Sequence, residues 1–388
     1  MRRLLGIVTL FSLVRGAAAQ DITVQGYLDE LAGWVNQPQT EGTPAAGHFQ
    51  NSLQNRLNTR YYPVPSLRFE CDLRTRLIYQ QEFNSDRVFT SQLQGSGDLV
   101  NLNAVLVDQD NAVLVSQADR LYADWTDGPV QLTLGRQRIA WGTNLVWNPT
   151  DLFNPFSVLD FDYEERPGVD ALRVQVFTGP TSKIELAGTP GATPRDRTGL
   201  ALVHVNSWDY DFNFLGGSFH KGYVLGFSWA GQVLEGGFRG EMRWTGNQQT
   251  PDPITLSETS SSYFTASLSG DYTFESSFYI HSELLFNGNG VRTNAGPDWT
   301  VALARGELSP SRWSIYQEFS GDVSPLVRLS FFGLVNPEDE SFVLVPSLTW
   351  SMATNWDLLL IAMIPGGQSQ TEFSSVGSGA YVRAKWSF

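Results

Sequence analysis

Ser378-Gly-Ala-Tyr-Val-Arg-Ala-Lys-Trp-Ser-Phe388 closes the chain, and its reading decides the fold. Successive side chains of an extended strand point to opposite faces. Ala380, Val382, Ala384, Trp386 and Phe388 therefore share one face, and Gly379, Tyr381, Arg383, Lys385 and Ser387 share the other. A soluble sheet would turn the apolar face to a core, and a membrane sheet would turn it to lipid. This stretch admits both, so the rest of the chain must separate them.

The other terminus favours the membrane. Arg2 and Arg3 precede an apolar run from Leu4 to Val14, and Ala17-Ala18-Ala19 offers a small-residue cleavage site before Gln20. Residues 1–19 read as a secretory signal peptide. Its loss removes Arg2, Arg3 and Arg15, so Lys+Arg falls from 26 to 23 against 40 acids, a net charge of −17. The longest apolar run of the remainder, Leu358 to Ile364, is far shorter than the ~20 residues of a spanning helix. Only helices and closed barrels satisfy their backbone groups in lipid. A membrane location therefore requires residues 20–388 to form one β-barrel. The paired aromatics Trp386 and Phe388 resemble the C-terminal strand of bacterial outer-membrane barrels. In those barrels the terminal Phe is part of the signal read by the assembly machinery.

A slightly negative mean hydropathy suits a barrel with a polar interior. The acidic excess argues against nucleic acid. The single cysteine, Cys71, excludes an intrachain disulfide and a cysteine-based zinc site. It shares a face with Phe69 and Leu73, which suits a small apolar filler.

Alternating segments recur. In Leu67 to Gln80, Leu67, Phe69, Cys71, Leu73, Leu77 and Tyr79 oppose Arg68, Glu70, Asp72, Arg74 and Arg76. Phe238, Met242 and Trp244 oppose Arg239, Glu241 and Arg243. Phe278, Ile280, Leu284 and Phe286 oppose His281 and Glu283, while Ile184 and Leu186 oppose Lys183 and Glu185. Apolar-out, charged-in repetition is the barrel pattern. Short turns are expected at Thr126–Pro129, Thr178–Ser182, Phe274–Ser277, Ser320–Ser324 and Met352–Asn355. Long connections are expected over 83–111, 141–168, 247–260, 287–310 and 365–377. With short turns periplasmic and long loops extracellular, the parity closes at eighteen antiparallel strands. That count takes Ile22–Val35 and Phe49–Tyr61 as the first two strands, Pro63-Val64-Pro65 as a turn, and Leu99–Val107 as part of a loop. Sixteen strands is the alternative count.

One region stands apart. Leu134-Gly-Arg-Gln-Arg-Ile-Ala-Trp-Gly142 is followed by Val146-Trp-Asn-Pro-Thr-Asp-Leu-Phe-Asn-Pro-Phe156 and Asp160-Phe-Asp-Tyr-Glu-Glu-Arg166. The Gly-Arg-Gln-x-x-x-Trp-Gly element resembles one in bacterial porin-like families, including the alginate-export type. The resemblance implies a strand end followed by a long loop, and it carries no substrate. Arg136 and Arg138 are two apart and so are expected to share a strand face. Asp160, Asp162, Glu164 and Glu165 are their candidate partners if the loop, with Asp151, folds inward as a constriction. The alternative is a solvated extracellular loop. Trp141 and Trp147 read as girdle or loop-packing residues. Asp160, Asp162 and Glu164 also have the alternation of calcium ligands, though a solvated acidic loop accounts for them.

The remaining inward candidates are Arg173, Arg328, Arg383 and Lys385, with acids such as Glu318 among them. Charges of both signs across a pore set ion preference, and a dense arginine ladder favours anions. The alternative is that these charges pair with one another and fill a closed, structural lumen. An outer-membrane hydrolase would need a Ser beside His281. His48 and His220 read as loop or turn residues, and no Gly-x-Ser-x-Gly or His-x-x-x-His element occurs. The expected function is a porin-like channel without cofactor or metal in the outer membrane of a Gram-negative cell. It would meet lipid, lipopolysaccharide, the barrel assembly machinery and small solutes, and it is compatible with a homo-oligomer. A closed structural or adhesion barrel, binding a partner through acidic loops, is the alternative.

Overall fold

The computed structural model describes residues 21–36, 47–80, 99–154, 165–193, 196–251, 258–296, 302 and 306–388. The expected signal peptide lies outside them. The first half of the chain gives β1 (Ile22–Asn36), β2 (Gly47–Val64), β3 (Leu67–Gln80), β4 (Asn103–Gln109), β5 (Ala112–Asp127), β6 (Val130–Gln137), β7 (Val169–Gly179), β8 (Ser182–Thr189) and β9 (Thr198–Ser207). The second half gives β10 (Tyr210–Phe219), β11 (Gly222–Val233), β12 (Gly236–Pro251), β13 (Glu258–Thr273), β14 (Tyr279–Asn287), β15 (Trp313–Ser324), β16 (Val327–Asn336), β17 (Ser341–Ala353), β18 (Trp356–Gly366) and β19 (Ser378–Ser387). Neighbours pair antiparallel, and β19 pairs with β1 to close the ring.

Eighteen strands form the wall. β4 is an addition that does not span it. One edge of β5 pairs with β3 along its length. The other edge is shared, with β6 against Leu121–Asp127 and β4 against Ala112–Gln117. β4 thus fills the lane that β6 vacates when the chain leaves the wall after Gln137.

Period-2 burial follows the expected faces. Phe69, Cys71, Leu73, Leu77 and Tyr79 of β3 are exposed outward, whereas Glu70, Asp72 and Arg74 are buried inward. Exposed aromatics form two belts, with Trp34, Phe49 and Tyr79 toward the loop rim and Tyr61, Phe69, Trp125, Trp356 and Trp386 toward the turn rim.

Several boundaries move. β2 runs through Pro63 to Val64, leaving Pro65-Ser66 as the turn. β15 runs through Ser324, so the turn expected at Ser320–Ser324 sits at Pro325-Leu326. There Pro325 cannot donate to a ladder, and Arg328 reaches back to Asp322. The turn after β17 narrows to Thr354-Asn355, with Asn355 at φ 64°. Among the described residues, short loop-rim connections include Asp110-Asn111, His220-Lys221 and Pro337–Glu340. His220 and Lys221 take φ of 46° and 60°, the positive pair that suits a two-residue hairpin. His48 lies within β2, near Gln80 at 3.1 Å, and not in a loop.

The terminal Phe388 completes the seam. Its N–H donates to Gly26 O and Gly26 N–H donates to Phe388 O, both at 2.9 Å. A Cβ on Gly26 would stand 2.1 Å from Arg56 O of β2 and 3.1 Å from the Phe388 ring, so glycine is what fits between β2 and the terminal residue. Deleting Phe388 removes both bonds, each worth about 1 kcal/mol, and the ring tilted against Trp386 at 5.1 Å. We expect a several-fold fall in the heat-modifiable, folded species on unboiled gels. Full folding of the truncated chain would refute this.

Candidate functional site

β6 ends at a distortion. Gly135 has φ 123°, and a Cβ there would lie 2.3 Å from Leu121 O. Beyond Gln137 the chain turns into the barrel. Residues 138–154 form no ladder, so their amides need other acceptors. Inward carboxylates of the wall supply them. Glu241 on β12 accepts from Thr143 N (2.5 Å) and Asn144 N (2.8 Å) at one oxygen, and from Thr150 N (2.9 Å) and Thr150 Oγ1 (2.6 Å) at the other. Glu283 on β14 accepts from Val146 N at 3.2 Å and Trp147 N at 2.6 Å. Glu185 on β8 accepts from Trp141 Nε1 at 2.6 Å. Arg243 Nη1 donates to Pro149 O at 3.0 Å, and Ser267 Oγ donates to Trp147 O at 3.0 Å. Bonds between a charged group and a backbone amide are the strong ones. The loop is therefore stapled to the wall opposite its point of exit.

Apolar packing reinforces the staple. Ile139, Trp141, Leu152 and Phe153 cover inward Ala187, Leu200, Leu202, Leu215 and Val224 on β8–β11. Trp141 meets Phe153 edge-on at 5.3 Å. Val146 and Trp147 cover inward Leu285, Tyr316, Leu334, Val343 and Ile361 on β14–β18, joined by Phe373 from the 3₁₀ turn Glu372–Ser375. Half of the inner wall is thus a small core, and Trp141 and Trp147 are packing residues within it.

The other sector, β1–β5, is charged. Arg56 is a hub that pairs with Asp119, with Asp72 at 3.2 Å and with Glu165 at 2.7 Å. Gln54 bridges Arg74 (2.7 Å) and Asp29 (2.6 Å). A register shift beside Asp72 is what lets Asp119 and Arg120 both turn inward. Most pairs that face the water share an asymmetry. Arg60 is 37% exposed and its partner Glu70 8%; Arg68 is 32% exposed and Asp124 9%. On β7 and β8, Arg173 (20%) and Lys183 (26%) meet a fully buried Glu185. In these pairs the carboxylates sit against the wall and the cations stand toward the lumen.

The residues read from sequence distribute as follows. Arg68, Glu70, Asp72, Arg74 and half-buried Arg76 share the inward face of β3. Arg239 pairs with Asp271, Arg328 with Asp322 at 2.9 Å, and Lys385 Nζ lies 4.3 Å from the Tyr27 ring centroid. Arg383 is half-buried on the inward face of β19. Arg136 does not face the open lumen. It has the parity of exposed Leu132 and Leu134, and it forks onto Asp170 at 2.9 and 3.0 Å beneath the Val100 carbonyl. Arg138 lies past the end of β6, so the two arginines share no strand face. Burial, with the Arg166 cation nearby, lowers its pKa. Asp160, Asp162 and Glu164 lie outside the described residues. Glu165 meets Arg56 and not Arg136 or Arg138. Asp151 accepts from Arg166 at 2.7 Å, yet burial pushes its carboxyl up to about 7. The expected clamp, wall arginines on loop acids, is therefore largely inverted to wall acids on loop amides. Glu185 lies on the inward face that alternation assigns it, whereas Arg56, Asp29 and Asp119 are not marked by sequence. Polar residues on both faces of β2 hid Arg56, although Ser52, Gln54, Arg56 and Arg60 keep strict alternation.

A second inward segment has its own latch. Glu372 accepts from Ser309 Oγ at 2.9 Å and from Ser311 Oγ, and its amide donates to Asp339 at 2.7 Å. Burial pushes its carboxyl up to about 7. A raised folded pKa stabilises through the protonated form, so the contribution is full below the ordinary carboxylate range and is lost as pH rises through about 7. Amide exchange across 367–377, corrected for intrinsic rates, should be faster above pH 7 than below it. Glu372→Gln should abolish the difference, and a wild-type rate independent of pH would rule the latch out.

Ser269 Oγ lies 3.0 Å from His281 Nε2, and His281 Nδ1 lies 3.9 Å from Glu318. Ser269 and His281 are each 1% exposed and face inward, so the pair joins the wall network with Glu283 and is not open to lipid.

No protein-family model matches the chain, and no curated protein sequence matches it. Solved structures do match in fold. OccAB1 of Acinetobacter baumannii has a TM-score of 0.56 at 10% identity, covering 94% of this chain and 96% of that one. OccK11 (OpdR) of Pseudomonas aeruginosa has 0.55 at 9%, covering 95% and 96%. OprB of Pseudomonas putida has 0.50 at 9%, covering 95% of each. The likeness spans nearly the whole of each chain and is one of fold.

Proposed function

We propose that the protein is an outer-membrane channel for passive passage of small charged solutes, narrowed by the inward loop and selective for anions. The observation that carries this reading is the asymmetry of the lumen pairs, with buried carboxylates and water-facing Arg60, Arg68, Arg173 and Lys183. An apolar exterior between two aromatic belts supports the membrane location. Export through the signal peptide, contact with lipopolysaccharide, and recognition of Trp386 and Phe388 by the assembly machinery belong to the same reading. The candidate lumen residues act by position and charge, and no reaction is assigned to them. The test is conductance of the purified protein in a planar bilayer. Discrete openings are expected. Silence over a wide voltage range would favour a closed barrel, a reading to which the two loop-covered apolar clusters lend some support.

A further inference from the structure

Outward positions of the wall are apolar over most of its circumference. Those of β18 are Trp356, Leu358, Leu360, Ala362 and Ile364. The β1–β5 sector departs from this. Glu30 is exposed between Leu28 and Ala32 on β1, opposite outward Leu53 of β2. Asn51 Nδ2 donates to Glu30 Oε1 at 3.0 Å. One row nearer the turn rim, Asn55, Thr75 and Ser116 are register neighbours across β2, β3 and β5, and the two hydroxyls lie 3.0 Å apart. These five side chains form one polar stripe on the outer face.

The stripe is not at the interface. Glu30 is four residues from Trp34 of the loop-rim belt. At ~3.3 Å per residue and a tilt of ~40°, that places it ~10 Å inside an apolar band ~25 Å tall. Acyl chains offer neither donors nor acceptors at that depth. Small residues, Ala32, Ala384 and Ala118, flank the stripe. Below it Thr59, Cys71 and Ala123 floor a hollow of about 320 Å³ between Phe69 and Leu121.

We infer that this face is covered by a second copy of the chain, in a closed assembly about an axis normal to the membrane. Copies inserted in the same direction hold the stripe at the same height, and a two-fold axis normal to the membrane brings stripe to stripe. The patch is also complementary to itself. It carries acceptors in the Glu30 carboxylate and the Asn carbonyls, and donors in the second amide hydrogen of Asn51 and of Asn55, whose first serve Glu30 and the Tyr27 carbonyl, and in one hydroxyl of the Thr75–Ser116 pair. The alanines let two walls approach closely enough for those groups to meet. The inference rests on the membrane reading of the exterior and is independent of whether the lumen conducts.

The test uses the full chain in isolated membranes. Asn55→Cys, made in a Cys71→Ser background, should give a thiol-linked species of twice the chain mass on mild oxidation. Met242→Cys, exposed on β12 across the ring, should give none. The pair Glu30→Leu and Asn51→Leu should keep the heat-modifiable fold but reduce the mass in mild detergent to that of one chain. Three results would overturn the inference: no Asn55 cross-link from folded protein, equal cross-linking through Met242, or an adduct whose mass is not a multiple of the chain. A single chain that still conducts would overturn it while leaving the channel intact. An assembly that is electrically silent would do the reverse.

Discussion

Removing residues 148–162 is expected to raise single-channel conductance several-fold. The segment begins where the loop is held hardest. Pro149 O is bonded by Arg243, and Thr150 gives both its amide and its hydroxyl to Glu241. Its loss also removes Leu152 and Phe153 from the apolar cover on β8–β11. The wall has its own closed ladder of backbone bonds and does not depend on the loop for closure. Access to the lumen therefore widens while the barrel stays folded. A milder version separates clamp from bulk. Glu241→Ala leaves every loop residue in place but strips the acceptor from the Thr143, Asn144 and Thr150 amides. Each buried amide left without a partner costs about 1–3 kcal/mol. The loop should then sample released positions, seen as flicker between a native and a larger conductance. Unchanged conductance in the deletion would place the segment outside the current path.

The parts of this molecule that were legible in sequence are those governed by period 2. β3 announces both faces because its outward positions are apolar and its inward ones charged, and the strand count follows from such segments plus turn parity. β2 is less legible, since Asn51, Asn55 and Thr59 make its outward face polar as well. The structure ties that anomaly to the stripe around Glu30. The end of β6 was misread for a local reason: Gly135 takes a positive φ, the strand stops at Gln137, and Arg138 leaves the plane that alternation would give it. The clamp was inverted because side-chain charge is visible in sequence and free backbone amides are not. A loop rich in Asn and Pro that cannot form a ladder still has to place its N–H groups somewhere. Glu241 and Glu283, already on inward faces, were available to take them.

In a salt gradient the reversal potential should show anions moving in preference to cations, and substitution on the β1–β5 wall should undo this. The lumen contains many acids, so a count of charges alone predicts little. Exposure decides which charges a solute meets. Glu70 and Asp124 are nearly covered, whereas Arg60 and Arg68, their partners, are about a third exposed. Asp124 keeps Gln131 and Thr133 as donors, and each glutamine retains an amide donor where the guanidinium stood, so Arg60→Gln with Arg68→Gln should leave the barrel folded. The same change uncovers the field of Glu70 and Asp124. The reversal potential should move toward the cation side and, if this wall lines the narrowest part, change sign. Screening supplies the internal control. At about 0.1 M salt the Debye length is ~10 Å, and at about 1 M it is ~3 Å. The difference between wild type and variant should therefore shrink as both sides of the membrane are made more concentrated. A reversal potential that does not respond to the two substitutions would mean that current passes elsewhere in the lumen. The exposed cations of β7 and β8, Arg173 and Lys183, would then be the next to neutralise.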